Sequence, residues 1–239
     1  MIKKTIIFIL LLTAFAPAFG QSRVHKQRNS NLPYFERSRF HFGFTLAGNS
    51  AGFKVDYDLT AIDSLISLQV GSQTGFNIGI VSSMRLNRYF TLRFLPTLAF
   101  AQRNFDYVFE NTPRNITTTK IVESTYILFP VLFKYRSARY NNFAAYVVGG
   151  GNLAYDLSSQ FDVNNEVIIP EQVLKVQRQN WFAELGFGAD FFMEYFKFSV
   201  ELKYSHGINN VFVNDGSFWA TPIQRIEPRM FTVSLHFEG

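Results

Sequence analysis

The sequence predicts an all-β protein whose eight antiparallel strands close into a barrel that spans a membrane. Three observations indicate this fold class. Apolar and polar residues alternate in segment after segment, connections of alternating length join the segments, and the last residues form a strand that needs a pairing partner. No segment sustains the 3.6-residue apolar repeat, with caps, that is typical of an amphipathic helix.

The strand prediction rests on a period of two residues. In YFKFSVELKYS, Phe198 and Leu202 lie on one face of an extended chain, whereas Lys197 and Glu201 lie on the other. The pattern recurs, more weakly in the segments at residues 118 and 143, in seven further segments that begin at Phe40, Gly75, Tyr89, Thr118, Phe143, Trp181 and Phe231. Together these segments make a set of eight strands.

The predicted connections alternate between long and short. They cover about residues 49–74, 86–88, 104–117, 137–142, 157–179, 193–194 and 207–227. A soluble sandwich or a lipocalin-like barrel has no reason to gather its long loops at one end. Outer-membrane barrels have tight periplasmic turns and long external loops, and their even strand number puts both termini in the periplasm. The pattern therefore predicts a bacterial outer-membrane barrel with both termini periplasmic.

The terminal segment RMFTVSLHFEG fits such a barrel, because closure pairs the last strand with the first. Phe231 and Phe237 would then face lipid, while Thr232 and His236 would face the lumen. A last strand that ends near an aromatic residue also resembles the signal read by the barrel-assembly machinery, which we expect as a partner during biogenesis. The aromatic fraction is 17%, and the predicted interfacial girdle comprises Tyr34, Tyr89, Tyr146, Trp181, Tyr195 and Tyr204.

The N-terminal residues predict export. Residues 1–20 have a basic start, an apolar run from Ile6 and small residues before a cut ahead of Gln21, as in a secretory signal peptide. A membrane anchor is the alternative, although the apolar run is short for a span. Of the formal charge of +5, residues 21–39 carry +4 and residues 40–239 carry −1. We therefore expect a signal peptide (1–20), a basic periplasmic arm (21–39) and a barrel (40–239), and no nucleic acid as a partner.

The arm, QSRVHKQRNSNLPYFERSR, is either a solvated leader or a docking segment for a partner protein. As a docking segment it would present basic residues followed by a short apolar stretch. The predicted docking residues are Arg23, Lys26, Arg28, Asn31, Leu32, Pro33 and Tyr34.

The alternation directs charged side chains into the lumen. An eight-stranded barrel is just wide enough for its interior to be filled by side chains, and buried ions of both signs can pair with one another. The predicted lumen polar network comprises His41, Arg93, Glu184, Asp190, Lys197, Glu201, Lys203 and His236, and Thr45 and Arg85 face the same way. A lumen filled in this way excludes a conduit for a folded protein.

The residues offer little for catalysis or metal binding. His41, His236 and Glu201 form the best triad-like candidate, but both histidines lie near the periplasmic rim, which is the wrong end for hydrolysis of lipid A or peptides. The chain has no cysteine, and neither His25 nor His206 has a partner at metal-ligand spacing. Four loop acids fit no regular calcium loop: Asp156, Asp162, Glu166 and Glu171. We expect no catalytic, cofactor or metal site, no small-molecule substrate and no enzymatic activity.

Three stretches resemble one family. NLPYFERSRFHFGFTLAGN at 31–49, GFNIGIVSSMRLNRYFTLRFLPTLAFAQR at 75–103 and FPVLFKYRSARYNNFAAYVVGGGN at 129–152 are similar to the PorT/SprT proteins of the type IX secretion and gliding machinery. The resemblance implies a non-enzymatic outer-membrane barrel that other secretion subunits contact and that export of cargo with a C-terminal sorting domain requires. The alternative is a stand-alone barrel that acts as a minor pore, an adhesin or an envelope anchor.

Overall fold

The fold is a closed antiparallel β-barrel. The structure, a computed structural model, describes residues 31–110, 115–159 and 172–239. Its strands are β1 (Phe40–Tyr57), β2 (Leu65–Arg85), β3 (Phe90–Phe94), β4 (Thr97–Phe109), β5 (Ile116–Arg136), β6 (Phe143–Asp156), β7 (Gln179–Phe192), β8 (Lys197–Gly207) and β9 (Ile223–Glu238). Two 3-10 helices, Phe35–Arg37 and Leu59–Ala61, are the described helical segments, and neither has the length or apolar character to cross a membrane.

Strands β3 and β4 form one barrel strand that is interrupted at Leu95 and Pro96. Proline has no backbone N–H to donate to a ladder, yet both neighbouring strands hold this position. The Leu95 N–H donates to the Pro130 carbonyl at 3.2 Å, and the Ile80 N–H donates to the Pro96 carbonyl at 3.0 Å. The wall therefore consists of eight antiparallel strands, as predicted.

The ring closes between β1 and β9, so the terminal strand has no free edge. Thr45 of β1 lies opposite Gly79 of β2 on one side and His236 of β9 on the other. At this seam Gly43 has no alternative, since a Cβ atom there would collide with the backbone carbonyl of Phe237. Closure satisfies the backbone groups that a terminal edge would expose.

The strands run further than the sequence indicates. The predicted long connections 49–74, 104–117 and 207–227 are wrong in extent. Strand β1 continues to Tyr57 and β2 begins at Leu65, while β4 continues to Phe109 and β9 begins at Ile223. The first two of these connections are only residues 58–64 and 110–115. The two connections that are long in the structure are residues 157–178 and 208–222. We name the end of the barrel with these long connections the loop end, and the opposite end, where β1 begins and β9 ends, the turn end.

The outer face carries an apolar band near the turn end. On β5 the outward side chains Tyr135, Phe133, Val131 and Phe129 are exposed, and Ile127 continues the row. Nine residues of extended chain cover about 30 Å along a tilted strand, which is enough for a hydrocarbon core. Beyond Ile127 the outward residues include Thr125 and Glu123, so the strand leaves the band and continues into water.

The polarity of the interior is the reverse of that of the outer face. Its turn-end half is ionic, and its loop-end half is an apolar core beneath the polar outer face. The buried members of this loop-end core are Phe53, Leu65, Leu68, Phe105, Tyr107, Val122, Leu174, Val176, Val211, Trp219, Ala220, Ile223 and Ile226. Within the band the barrel is apolar outside and polar inside, and beyond the band it resembles a water-soluble protein.

The predicted aromatic girdle needs one correction. Tyr89, Trp181, Tyr195 and Tyr204 are exposed on the outer surface, and Tyr34 is exposed on the arm. Tyr146 is only 4% exposed and points into the lumen. The reason is the register of β6, in which even-numbered residues such as Tyr146 and Val148 face inward.

Candidate functional site

The centre of the lumen is an ion cluster around Arg93 of β3. Its guanidinium is fully buried, donates to the Glu201 carboxylate of β8 at 2.7 Å, and lies 3.8 Å from the Glu238 carboxylate of β9. His236 Nε2 is 3.5 Å from Glu201, and the Tyr146 hydroxyl donates to the same carboxylate at 3.0 Å. Four different strands thus supply one buried charge cluster.

A second buried pair lies beside the first. The Lys134 ammonium of β5 donates to both oxygens of Asp190 of β7, at 2.7 and 2.8 Å. The Ser199 hydroxyl donates to Asp190 at 2.6 Å, and the Lys134 ammonium lies 3.5 Å from the centre of the Tyr146 ring. The carboxylate is fully satisfied, which is the condition under which a buried pair is tolerated.

Two further pairs bracket the cluster along the barrel axis. Toward the turn end, Lys197 lies 2.9 Å from Glu238. Toward the loop end, Lys203 lies 2.8 Å from Glu184, and Asn152 donates to the same carboxylate at 2.8 Å. Four cationic and four carboxylate side chains therefore pair in this network.

The structure places every residue of the predicted lumen polar network in the interior. Sequence reasoning missed Lys134, Glu238, Tyr146 and Arg103, all of which are buried. The sequence could have indicated Lys134, because in the run LFKYR it stands between Phe133 and Tyr135, which both face outward. Arg103, which donates to the Ser124 hydroxyl at 2.9 Å, is the last residue of the predicted strand that begins at Tyr89, directly before the predicted connection 104–117.

The triad-like set of His41, His236 and Glu201 is not assembled. His236 is beside Glu201, but His41 Nε2 lies 2.8 Å from the Phe35 carbonyl, on the arm. In the register of the seam His41 is four residues nearer the turn end than Thr45, the residue opposite His236. Within the described ranges no three His, Asp or Glu side chains group as metal ligands. Asp156 lies on β6, whereas Asp162, Glu166 and Glu171 lie outside the described residues.

The middle of the lumen is nearly filled. A cavity of about 20 Å³ lies between Thr45, Leu95, Asn152 and His236, which is room for about one water molecule. The lumen is therefore blocked by packed side chains at this level.

The turn end is covered by residues 31–37 of the arm. The Phe35 ring stacks on His41 with 3.9 Å between ring centres, and the Glu36 carboxylate accepts from Arg136 at 2.6 Å. Asn31 is held by Asn142, whose side-chain oxygen accepts from the Asn31 N–H at 2.9 Å. The arm is thus folded back over the mouth of the barrel.

The predicted docking residues divide into two groups. Asn31, Leu32, Pro33 and Tyr34 lie at the turn end, where Tyr34 is 65% exposed and the Arg37 guanidinium lies 4.5 Å from its ring centre. Arg23, Lys26 and Arg28 lie outside the described residues.

The loop end is closed by residues 172–178 and 208–222. Trp219 is buried, and its carbonyl accepts from the Tyr107 hydroxyl at 2.8 Å. The Lys120 ammonium lies 4.6 Å from the Trp219 ring centre and donates to the Gln172 carbonyl at 3.1 Å. A bridge between Val176 and Phe212 joins the two segments. Both ends of the barrel are thereby covered.

Comparisons with known proteins give one family match and several similar structures. Residues 19–213 match the family described as outer membrane protein beta-barrel domain, and a search of curated protein sequences finds no match. Three similar solved structures are OprG from Pseudomonas aeruginosa (12% identity, 84% of this chain and 95% of that one, TM-score 0.47), Neisserial surface protein A (13%, 82% and 96%, 0.40) and Ail of Yersinia pestis (11%, 84% and 100%, 0.38).

Proposed function

The chain belongs to the family of outer membrane protein beta-barrel domains, and from this premise we propose that it is a non-enzymatic subunit of a type IX-like secretion apparatus. In cells that glide by means of that apparatus, it would serve gliding as well. Its apolar band contacts the outer-membrane bilayer. The proposal draws on the resemblance of residues 31–49, 75–103 and 129–152 to the PorT/SprT family.

The observation that carries the proposal is the closure of the barrel at three levels. Residues 31–37 cover the turn end, the ion cluster around Arg93 fills the lumen, and the loop-end core fills the other half. A barrel closed in this way does not carry cargo through its own lumen. Its contribution to export would come from its surfaces, by docking other subunits.

Two surfaces are available for docking in the proposed orientation. The turn end, with both termini, would face the periplasm, because outer-membrane barrels place their tight turns there. The exposed Tyr34 and the arginines around it would meet periplasmic subunits. The loop end would face outward, where cargo emerges. Insertion itself would require the barrel-assembly machinery, for which Phe237 supplies the terminal aromatic residue.

An in-frame deletion tests the proposal, with the culture fluid and the periplasm of mutant and parent compared by proteomics. We expect proteins with a C-terminal sorting domain to leave the medium and to accumulate in the periplasm. Complementation with the full chain should restore export, and complementation with a chain that lacks residues 22–38 should not if the arm docks a partner. Unchanged export in the deletion strain would overturn the secretion role.

The alternative is a stand-alone barrel that acts as an adhesin or an envelope anchor. One observation favours it over a pore: the strands continue past the apolar band and carry polar side chains such as Gln102, Asn104 and Glu123 into water at the loop end. A rigid projecting platform of this kind suits attachment. Loss of surface attachment with normal export in the same deletion strain would support this alternative.

A further inference from the structure

The turn end of the barrel has a cationic mouth. We define the mouth by His41 of β1, Arg85 of β2, Arg136 of β5, and Arg139 and Phe192 around the rim. Arg136 and Arg139 both lie over the Phe192 ring, with guanidinium carbons 5.7 and 3.8 Å from its centre. Two guanidinium groups thus lie over one aromatic ring at the entrance to the lumen, and Arg85 adds a third cationic side chain to the mouth.

The arm occupies this mouth as a peptide ligand would. The Glu36 carboxylate accepts from Arg136 at 2.6 Å and lies 3.8 Å from Arg85. Arg85 also donates to the Glu36 carbonyl, and the Phe35 carbonyl lies 2.8 Å from His41 Nε2. The Phe35 ring fills the slot between His41 and Phe192, with 5.9 Å between the centres of the two phenyl rings. The mouth therefore binds a carboxylate, two backbone carbonyls and an aromatic ring of the arm.

The arm is seated loosely. The 3-10 helix Phe35–Arg37 has no buried residue, and the Glu36 side chain remains 35% exposed. Cavities lie on both sides of Glu36, one of about 20 Å³ toward Lys134 and Asp190 and one of about 180 Å³ toward Arg88 and Arg139. Leu32 has a φ of +48°, a left-handed backbone conformation that is strained for a residue other than glycine.

We propose that the mouth is a binding site for a peptide in which an aromatic residue is followed by an acidic one, and that Phe35 and Glu36 are its resident, competing ligand. The occupant would be a segment of a partner protein. A lipid phosphate would use the arginines alone, whereas the mouth also binds backbone carbonyls and a ring. The proposal does not depend on a role in secretion, so the binding test and the deletion test can fail independently.

The test measures binding of a fluorescent peptide, NLPYFERSR, which copies residues 31–39, to the mature chain in zwitterionic detergent micelles. The weakened-arm chain, which carries Phe35→Ala and Glu36→Gln, loses the ring stacking on His41 and the charged contacts with Arg136 and Arg85, so we expect its arm to leave the mouth. We expect it to bind the peptide at least about tenfold more tightly than the parent chain, because a competing charge-assisted contact is gone. The same peptide with Glu36→Gln should show no such gain.

Two further variants separate the mouth from general effects. Adding Arg136→Gln to the weakened-arm chain should abolish the gain. Adding Arg225→Gln, which removes a half-exposed partner of Glu227 at the loop end, should preserve it. Heat-dependent migration on gels reports whether each variant is folded. If Arg136→Gln prevents folding, the binding of NLPYFERSR can still be compared with that of its Glu36→Gln version, and this comparison tests the proposal.

Three results would overturn the proposal: equal binding by the parent and weakened-arm chains, a gain that survives Arg136→Gln, or equal binding of both peptides. Displacement of the peptide by phosphatidylglycerol, but not by phosphatidylcholine, would assign the mouth to anionic lipid and would also overturn it.

Discussion

Arg93 shows how single residues hold this barrel together. It is fully buried and lies within 4 Å of carboxylates from two strands across the lumen, Glu201 of β8 and Glu238 of β9. Removing ions from water is costly, and the cost is recovered only while each charge keeps its partners. The cluster therefore stabilises the fold as a complete set, and loss of one member leaves uncompensated charge in the interior.

The first prediction concerns this residue. Arg93→Met should lower the free energy of unfolding by about 3–5 kcal/mol, because it leaves two buried carboxylates without their shared guanidinium. Urea titration of the barrel in phospholipid vesicles measures the loss. Arg225→Gln is the control, with an expected loss of about 0–1 kcal/mol because the Arg225 side chain is 48% exposed and its partner Glu227 keeps Lys54 at 3.8 Å. Equal losses in the two variants would show that the lumen cluster does not stabilise the fold.

At the scale of one element, β5 passes from lipid into water. Near the turn end Phe133 faces outward and Lys134 inward, whereas near the loop end Val122 faces inward and Glu123 outward. The alternation continues without a break while the apolar face changes sides. The point of change marks where the strand leaves the apolar band.

The second prediction uses two positions on the outward face of β5. Val131→Arg, near the centre of the apolar band, should destabilise the barrel by about 2–4 kcal/mol, since a charge is costly at the bilayer midplane. Glu123→Arg, on the same face but beyond the band, should cost about 0–1 kcal/mol. Folding titrations in vesicles provide both values. A cost at Glu123 equal to that at Val131 would place the membrane boundary elsewhere.

At the scale of the whole molecule, the lumen is blocked at three separate levels along the barrel axis. The arm covers the turn end, paired ions fill the middle, and the loop-end core fills the far half. Because these three levels are independent, opening one leaves the other two in place.

The third prediction follows from this arrangement. The purified chain should show no steady ion conductance in planar bilayers, and the Glu36→Gln chain should be equally silent, because the ion cluster and the loop-end core remain. A known porin inserted under the same conditions provides the positive control. Steady single-channel steps from the parent chain would contradict the closed barrel and favour the minor-pore alternative.

Much of the barrel wall could be predicted from the sequence. Lys197 and Glu201 were assigned to the lumen because they alternate with apolar neighbours, and alternation is a local property of an extended chain. Tyr146 was misplaced because an aromatic residue fits either an interfacial girdle or a lumen, and composition does not choose between them. The extensions of β1 and β2 were missed because the apolar face changes sides there, which makes the pattern look like a loop.

The sequence by itself determined that the chain is an eight-stranded outer-membrane barrel with a charged interior, since the strand period and the apolar–polar alternation of the terminal strand are local properties of the chain. Only the tertiary structure decided which charges meet. Arg93 and Glu201 are 108 residues apart, and Arg136 and Glu36 are 100 apart. Such partners are brought together by ring closure and by the stagger of neighbouring strands, which depend on the whole wall at once and not on any one segment.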